Sequence, residues 1–171
     1  MLGLRYHLAT LLALILIVTF SAHIFTNAIL KKMKFHISGK IGGEVISEAT
    51  RRKFARAEEM LKAKGYEVFN PCDEKWQECL RGGFATDRLF KCRFIDGSFP
   101  DFYAYALLCD LMVLSTKDAV YFLDDWDRSS GAGVEHSFAL ATGKKMLWQS
   151  LEDAKVFRDD NENPEDVWLP L

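Results

Sequence analysis

Four short apolar runs, each closed by turn residues and separated by helix-like stretches, leave this chain few folds to adopt. "KFHI" at residues 34–37, "YEVF" at 66–69, "AVYFL" at 119–123 and "MLWQ" at 146–149 have the length and the β-branched and aromatic content of strands. Between the first two, Ile46, Thr50, Phe54, Ala57 and Leu61 recur at helical spacing, and Gly65 supplies a stop. Asp101, directly after Pro100, is the N-cap predicted for a second helix reaching Thr116. A third helix, with Val134, Phe138 and Ala141 on one face, ends at Gly143. Residues 72–100, broken by Gly82, Gly83 and Gly97, read as a long irregular connection, which in a compact domain is usually functional or mobile.

Strands this short and apolar, alternating with helices, predict an α/β fold: a doubly wound, mainly parallel sheet in a flavodoxin- or Rossmann-like three-layer sandwich. Length suits one domain plus extensions, here residues 33–150 as the α/β domain, 1–32 as a hydrophobic N-terminal segment and 151–171 as an acidic tail in which Trp168 and Leu169 could dock. Residues 8–30 are almost uncharged and greasiest at "LLALILIVTF" (11–20), a run long enough to cross a bilayer as an N-terminal helix. Lys31, Lys32 and Lys34 follow it against Arg5 before it, so the positive-inside rule puts the folded domain in the cytoplasm, tethered to the membrane. A thin basic n-region argues against a cleaved leader. Met33, opening "MKFHISGK", also reads as a natural first residue, which would make the upstream stretch an over-extended start.

Charge excludes one class of partner. Lys and Arg number 22 against 24 Asp and Glu, a net charge of −2, so nothing favours a nucleic-acid polymer. The four cysteines form no C-x-x-C pair, and no metal site or cofactor is expected. A flavin or dinucleotide is disfavoured because the first loop lacks a full G-x-G-x-x-G and no acidic residue closes the second strand.

Two loops carry the chemistry. "SGKIGG" (38–43) and "DDWDRSSGAGVE" (124–135) both leave strand carboxyl ends, where ligands of parallel sheets bind, and should meet at one cleft. Ser38, Gly39, Lys40, Ile41 and Gly42 can cradle an anion with backbone N–H groups and a lysine, or can simply make a tight turn. Ser129 and Ser130 can add hydroxyls, although capping of the next helix accounts for one of them. Glu135, in that helix's first turn, either complements the helix dipole or leans toward the ligand. Asp110 interrupts the apolar segment "YALLCDLMVL", and a buried aspartate needs a partner. Paired carboxylates at a cleft break glycosidic bonds: one attacks or stabilises the anomeric carbon, the other handles protons. Trp126 offers a flat wall for a base, or packing alone. Asp124, Asp125 and Asp127 read as mostly solvated.

Taken in order, "KFHISGKIGG", "GYEVFNP", "CDLMVLSTKDAVYFL" and "GAGVEHSFALATGK" resemble the nucleoside 2-deoxyribosyltransferase superfamily. That group includes the 2'-deoxynucleoside 5'-monophosphate N-hydrolases and many uncharacterised bacterial and phage relatives, which share the strand-one "ISG" and helix "GA-x-x-EH" signatures. The resemblance spans residues 33–149. It implies that Glu135 is the catalytic nucleophile and that Asp110 works beside it on the base, their separation matching within one residue. Ser129 falls where the monophosphate hydrolases hold a phosphate-binding serine and transferases an aspartate. His36 stands where the family has an active-site tyrosine, and Gly42 where the hydrolases have an arginine, with Lys40 two residues away as a substitute. The implied partners are a nucleoside or nucleotide and a second copy of the chain, since neighbouring subunits of this superfamily complete each other's sites. A non-catalytic nucleotide-binding module on the same scaffold is the alternative.

Overall fold

The structure is a computed structural model that describes residues 32–43, 45–86 and 101–171. The hydrophobic stretch at residues 8–30, with its predicted membrane tether, lies outside the described residues; among those described, no helix is long and apolar enough to cross a membrane.

The four apolar runs are strands: β1 (Lys34–Ser38), β2 (Glu67–Phe69), β3 (Ala119–Phe122) and β4 (Lys145–Trp148). Every pairing is parallel, in the order β2-β1-β3-β4. Phe35, Ile37 and all four residues of β3 are buried, as they must be when both faces of a parallel sheet are covered. Chain order runs outward from β1 to β2, then returns across it to β3 and β4. The strand order therefore reverses between β1 and β3, and the crevice at such a switch point is where open α/β sheets bind ligands.

The helices are set by local signals. In α1 (Glu48–Ala63), Ser47 Oγ accepts the Thr50 N–H at 3.1 Å, and Phe54, Ala57 and Leu61 face the core. Gly65, at φ +88°, turns the chain into β2. α3 (Phe102–Ser115) starts at the predicted cap, where Asp101 accepts the Ala104 N–H at 2.7 Å. α4 (Ser130–Ala141) follows a 3-10 turn at Trp126–Arg128 and is capped by Ser129. With the right-handed crossovers that parallel strands adopt as a rule, this strand order puts α1 on one face of the sheet and α3 and α4 on the other. This agrees with the packing of α1 on β1 and β2, α4 on β3, and α3 on α4.

Three expectations are corrected. The connection after β2 is not wholly irregular: α2 (Glu74–Thr86) occupies its first half, and residues 87–100 lie outside the described residues. Asp73 caps this helix by accepting the Trp76 N–H at 3.2 Å, while Gln77 and Leu80 are buried. Gly83 serves packing, because a Cβ there would overlap the Tyr105 hydroxyl of α3. In α4 the buried residues are Ala132, Glu135 and Ala139, not the predicted Val134 stripe; Val134 is 42% exposed. Small residues let this helix approach the sheet closely, and the carboxylate comes in with them.

The tail, finally, is part of the compact unit Met33–Leu171. It forms α5 (Leu151–Phe157) and α6 (Pro164–Val167), which pack on β4, and then runs beside that strand. The Leu169 N–H donates to Trp148 O at 2.7 Å, and the Tyr121 hydroxyl donates to Leu169 O at 2.6 Å.

Candidate active site

A cavity of about 240 Å³ opens at the switch point. The loops after β1 and β3, the first turns of α3 and α4, and one side of α2 enclose it. It is slightly smaller than the ~300–1,000 Å³ of typical small-molecule pockets. Two glycines shape its first loop. Gly42 has φ +102°, a conformation other residues rarely adopt, and a Cβ on Gly39 would press on Leu123 Cδ1 at 2.9 Å.

That loop is also tied to the one after β3. Asp125 Oδ1 accepts the Lys40 N–H at 3.1 Å, while Lys53 Nζ donates to Lys40 O at 3.1 Å and to Asp125 Oδ2. Asp125 is therefore not a solvated loop acid; it joins the two walls. Lys53 gave no sequence signal, since its partner lies 72 positions away.

The structure brings Glu135 and Asp110 to the same cavity, although each is less than a tenth exposed. Glu135 is held at both oxygens. His36 Nε2 lies 3.2 Å from Oε1, and the Ser38 hydroxyl donates to Oε2. With Nε2–H given to the carboxylate, His36 Nδ1 is left buried without a partner among the described residues. Asp110 Oδ1 accepts the Trp76 indole N–H at 2.9 Å. Burial pushes the Asp110 carboxyl up to about 7; His36 draws it down, Glu135 adds to the rise and the indole opposes it.

Of the residues predicted to bind substrate, Gly39, Ile41, Gly42, Ser129 and Gly131 line the cavity. The others do not. His36 and Ser38 are fully covered and serve Glu135 instead, which lies not in the predicted first turn but in the second turn of α4, over β1. Lys40 is exposed, its backbone engaged by Asp125. Ser130 is exposed as well, and Ser129 alone caps the helix, accepting the Ala132 N–H at 3.3 Å. Trp126 is no wall for a base: it is buried against Phe122, Trp148 and Phe157, and its indole donates to Asp153 at 3.3 Å. The aromatic groups that do line the cavity are Phe102 and Tyr103, on the first turn of α3. They and Trp76 escaped the sequence reading. Nothing in "DFYAYAL" or "DEKWQECL" separates a cavity aromatic from a packing one.

A parallel α/β domain with two buried carboxylates facing one switch-point cavity is the class that fold and geometry define. Residues 33–148 match the family described as "Domain of unknown function (DUF4406)", and the chain belongs to that family. No curated protein matches. Among solved structures, a 2-deoxyribosyltransferase from Bacillus psychrosaccharolyticus is similar at 18% identity, covering 80% of this chain and 97% of that one, with a TM-score of 0.44.

Proposed function

We propose that this protein breaks or transfers the N-glycosidic bond of a (deoxy)nucleoside or its 5'-monophosphate, with Glu135 as nucleophile and Asp110 as the acid. The observation that carries the reading is that both carboxylates line one cavity yet have different partners. Both oxygens of Glu135 are held, which fixes the aim of an attacking group. Asp110, raised to about 7, has its acid form available at neutral pH.

In the first step a Glu135 oxygen bonds to C1', the bond from C1' to the base nitrogen breaks with its electron pair leaving on the base, and the Asp110 proton neutralises it. In the second, water or an acceptor base attacks C1', Glu135 departs as carboxylate, and Asp110 takes the incoming proton. The capped start of α4, with Ser129 and Gly131 on the cavity wall, supports a 5'-phosphate or hydroxyl at that end.

The sequence resemblance implies a homodimer or larger assembly. That is supported by α3, which is apolar all round yet leaves Tyr103, Leu108 and Met112 exposed.

The test is a panel of nucleosides and 5'-monophosphates, with and without an acceptor base, read as free or exchanged base. Glu135→Gln should slow release at least about a thousandfold. Equal release by wild type and Glu135→Gln would sink the assignment. Ligand binding without base release, unchanged by the substitution, would instead point to a nucleotide-binding module.

A further inference from the structure

We infer that Trp76 is a positioning residue for Asp110: its indole N–H occupies one carboxyl oxygen, so that the other carries the exchangeable proton. The inference rests on the glycosidic reading for its purpose, and on geometry for its content.

Trp76 is fixed on three sides. Its backbone N–H is held by Asp73 in the first turn of α2, at 3.2 Å. Its ring stands edge-on to Phe69, with centroids 5.1 Å apart and an 84° angle between planes. Its Nε1 reaches Asp110 Oδ1 at 2.9 Å. Phe69, the last residue of β2, also stacks against His36, with centroids 5.2 Å apart. One phenyl ring thus contacts both the residue that holds Glu135 and the residue that holds Asp110. Row and carboxylates come from β1, β2, α2, α3 and α4, so none of these contacts follows from its neighbours in sequence.

The chemistry of the donor matters. A lysine or arginine on Oδ1 would favour the ionised carboxylate and strip the group of its proton. Indole is a neutral donor with no acceptor and no titration of its own. It can hold Oδ1 in either charge state, and a carboxylic acid whose Oδ1 is accepting keeps its proton on Oδ2. Among the described residues, Trp76 makes the one hydrogen bond to Asp110. The charged and titratable groups around the carboxyl are His36 on β1, Glu135 on α4 and Cys72 before α2. The Cys72 thiol, pushed up to about 12 by burial, stays neutral throughout the range of interest.

The experiment follows the indole N–H signals of the 15N-labelled full chain through a pH titration. The chain has four tryptophans, and single Phe substitutions at Trp126, Trp148 and Trp168 identify the Trp76 signal by elimination even if Trp76→Phe fails to fold. In wild type the Trp76 signal should move with a midpoint near 7, the value to which Asp110 is raised, and Asp110→Asn should flatten the curve. A signal that stays still, or one that moves equally in Asp110→Asn, overturns the inference. With a substrate from the panel, Trp76→Phe should lower kcat up to about a hundredfold with KM little changed. It should also move the pH limb governed by Asp110 upward, since a donor that lowers its proton affinity is lost. An unchanged pH profile in Trp76→Phe counts against the positioning role. No base release from any substrate counts against the glycosidic reading instead, and the titration still decides whether Trp76 holds Asp110.

Discussion

At the scale of single residues, the site is built from burial opposed by specific partners. Asp110 shows the cost. Its carboxyl is raised from 3.8 to about 7, so between those values the folded chain keeps a proton that the unfolded chain has released. Stability from this group is therefore full below about 4 and declines as pH rises through 7. Asp110→Asn should be more stable than wild type above pH 7, by on the order of a few kcal/mol, and the gain should vanish in acid. Urea denaturation below about pH 4 and above pH 7 measures it; a gain that persists undiminished at low pH would show that burial of Asp110 is not the cause. Glu135 and Asp110 were legible in the sequence because a carboxylate inside an apolar helix, or directly after a run of small residues, is unusual by itself. Trp76, His36 as a partner of Glu135, and Lys53 were not, because each acquires its role from a residue 34 to 99 positions away.

At the scale of elements, strands and caps were legible and packing faces were not. The apolar runs mark β1 to β4 within a residue or two, and Asp101 and Ser129 cap as predicted for local side-chain chemistry. Helix α2 was hidden by Gly82 and Gly83; the small size of Gly83 matters only to α3, and at Gly82 a Cβ would meet open space. The acidic tail docks through Trp168 and Leu169 as its sequence suggested, and its helices add more than the acidic composition showed. Val167 and Ala154 are fully covered, and the Trp168 indole donates to Gln149 O at 3.0 Å, so residues 151–171 finish the core at the β4 edge. A 33–150 fragment should therefore be less stable than 33–171 by several kcal/mol, since Trp148, now fully buried, would face water. Coincident denaturation curves for the two fragments would refute this.

At the scale of the whole molecule, the proposed second copy of the chain has apolar surface to cover among the described residues. Leu108 and Met112, one turn apart on α3, are 43% and 59% exposed, and Leu140 on α4 is 65% exposed. Light scattering should give at least twice the chain mass, and Leu108→Lys with Met112→Lys should return it to the monomer value without unfolding. A wild-type monomer at working concentration would remove the assembly from the proposal, leaving the two carboxylates of one chain to act alone.

What the sequence determined by itself was whatever depends on neighbours along the chain: strand length, helix starts, the glycine turns, and therefore a parallel α/β sheet with its working loops at one end. Only the tertiary structure decided which side chains face the cavity and which stand behind it. Hydrogen bonds such as His36 to Glu135 and Trp76 to Asp110 join elements whose relative placement is fixed by the packing of the whole core, and no local pattern encodes that distance.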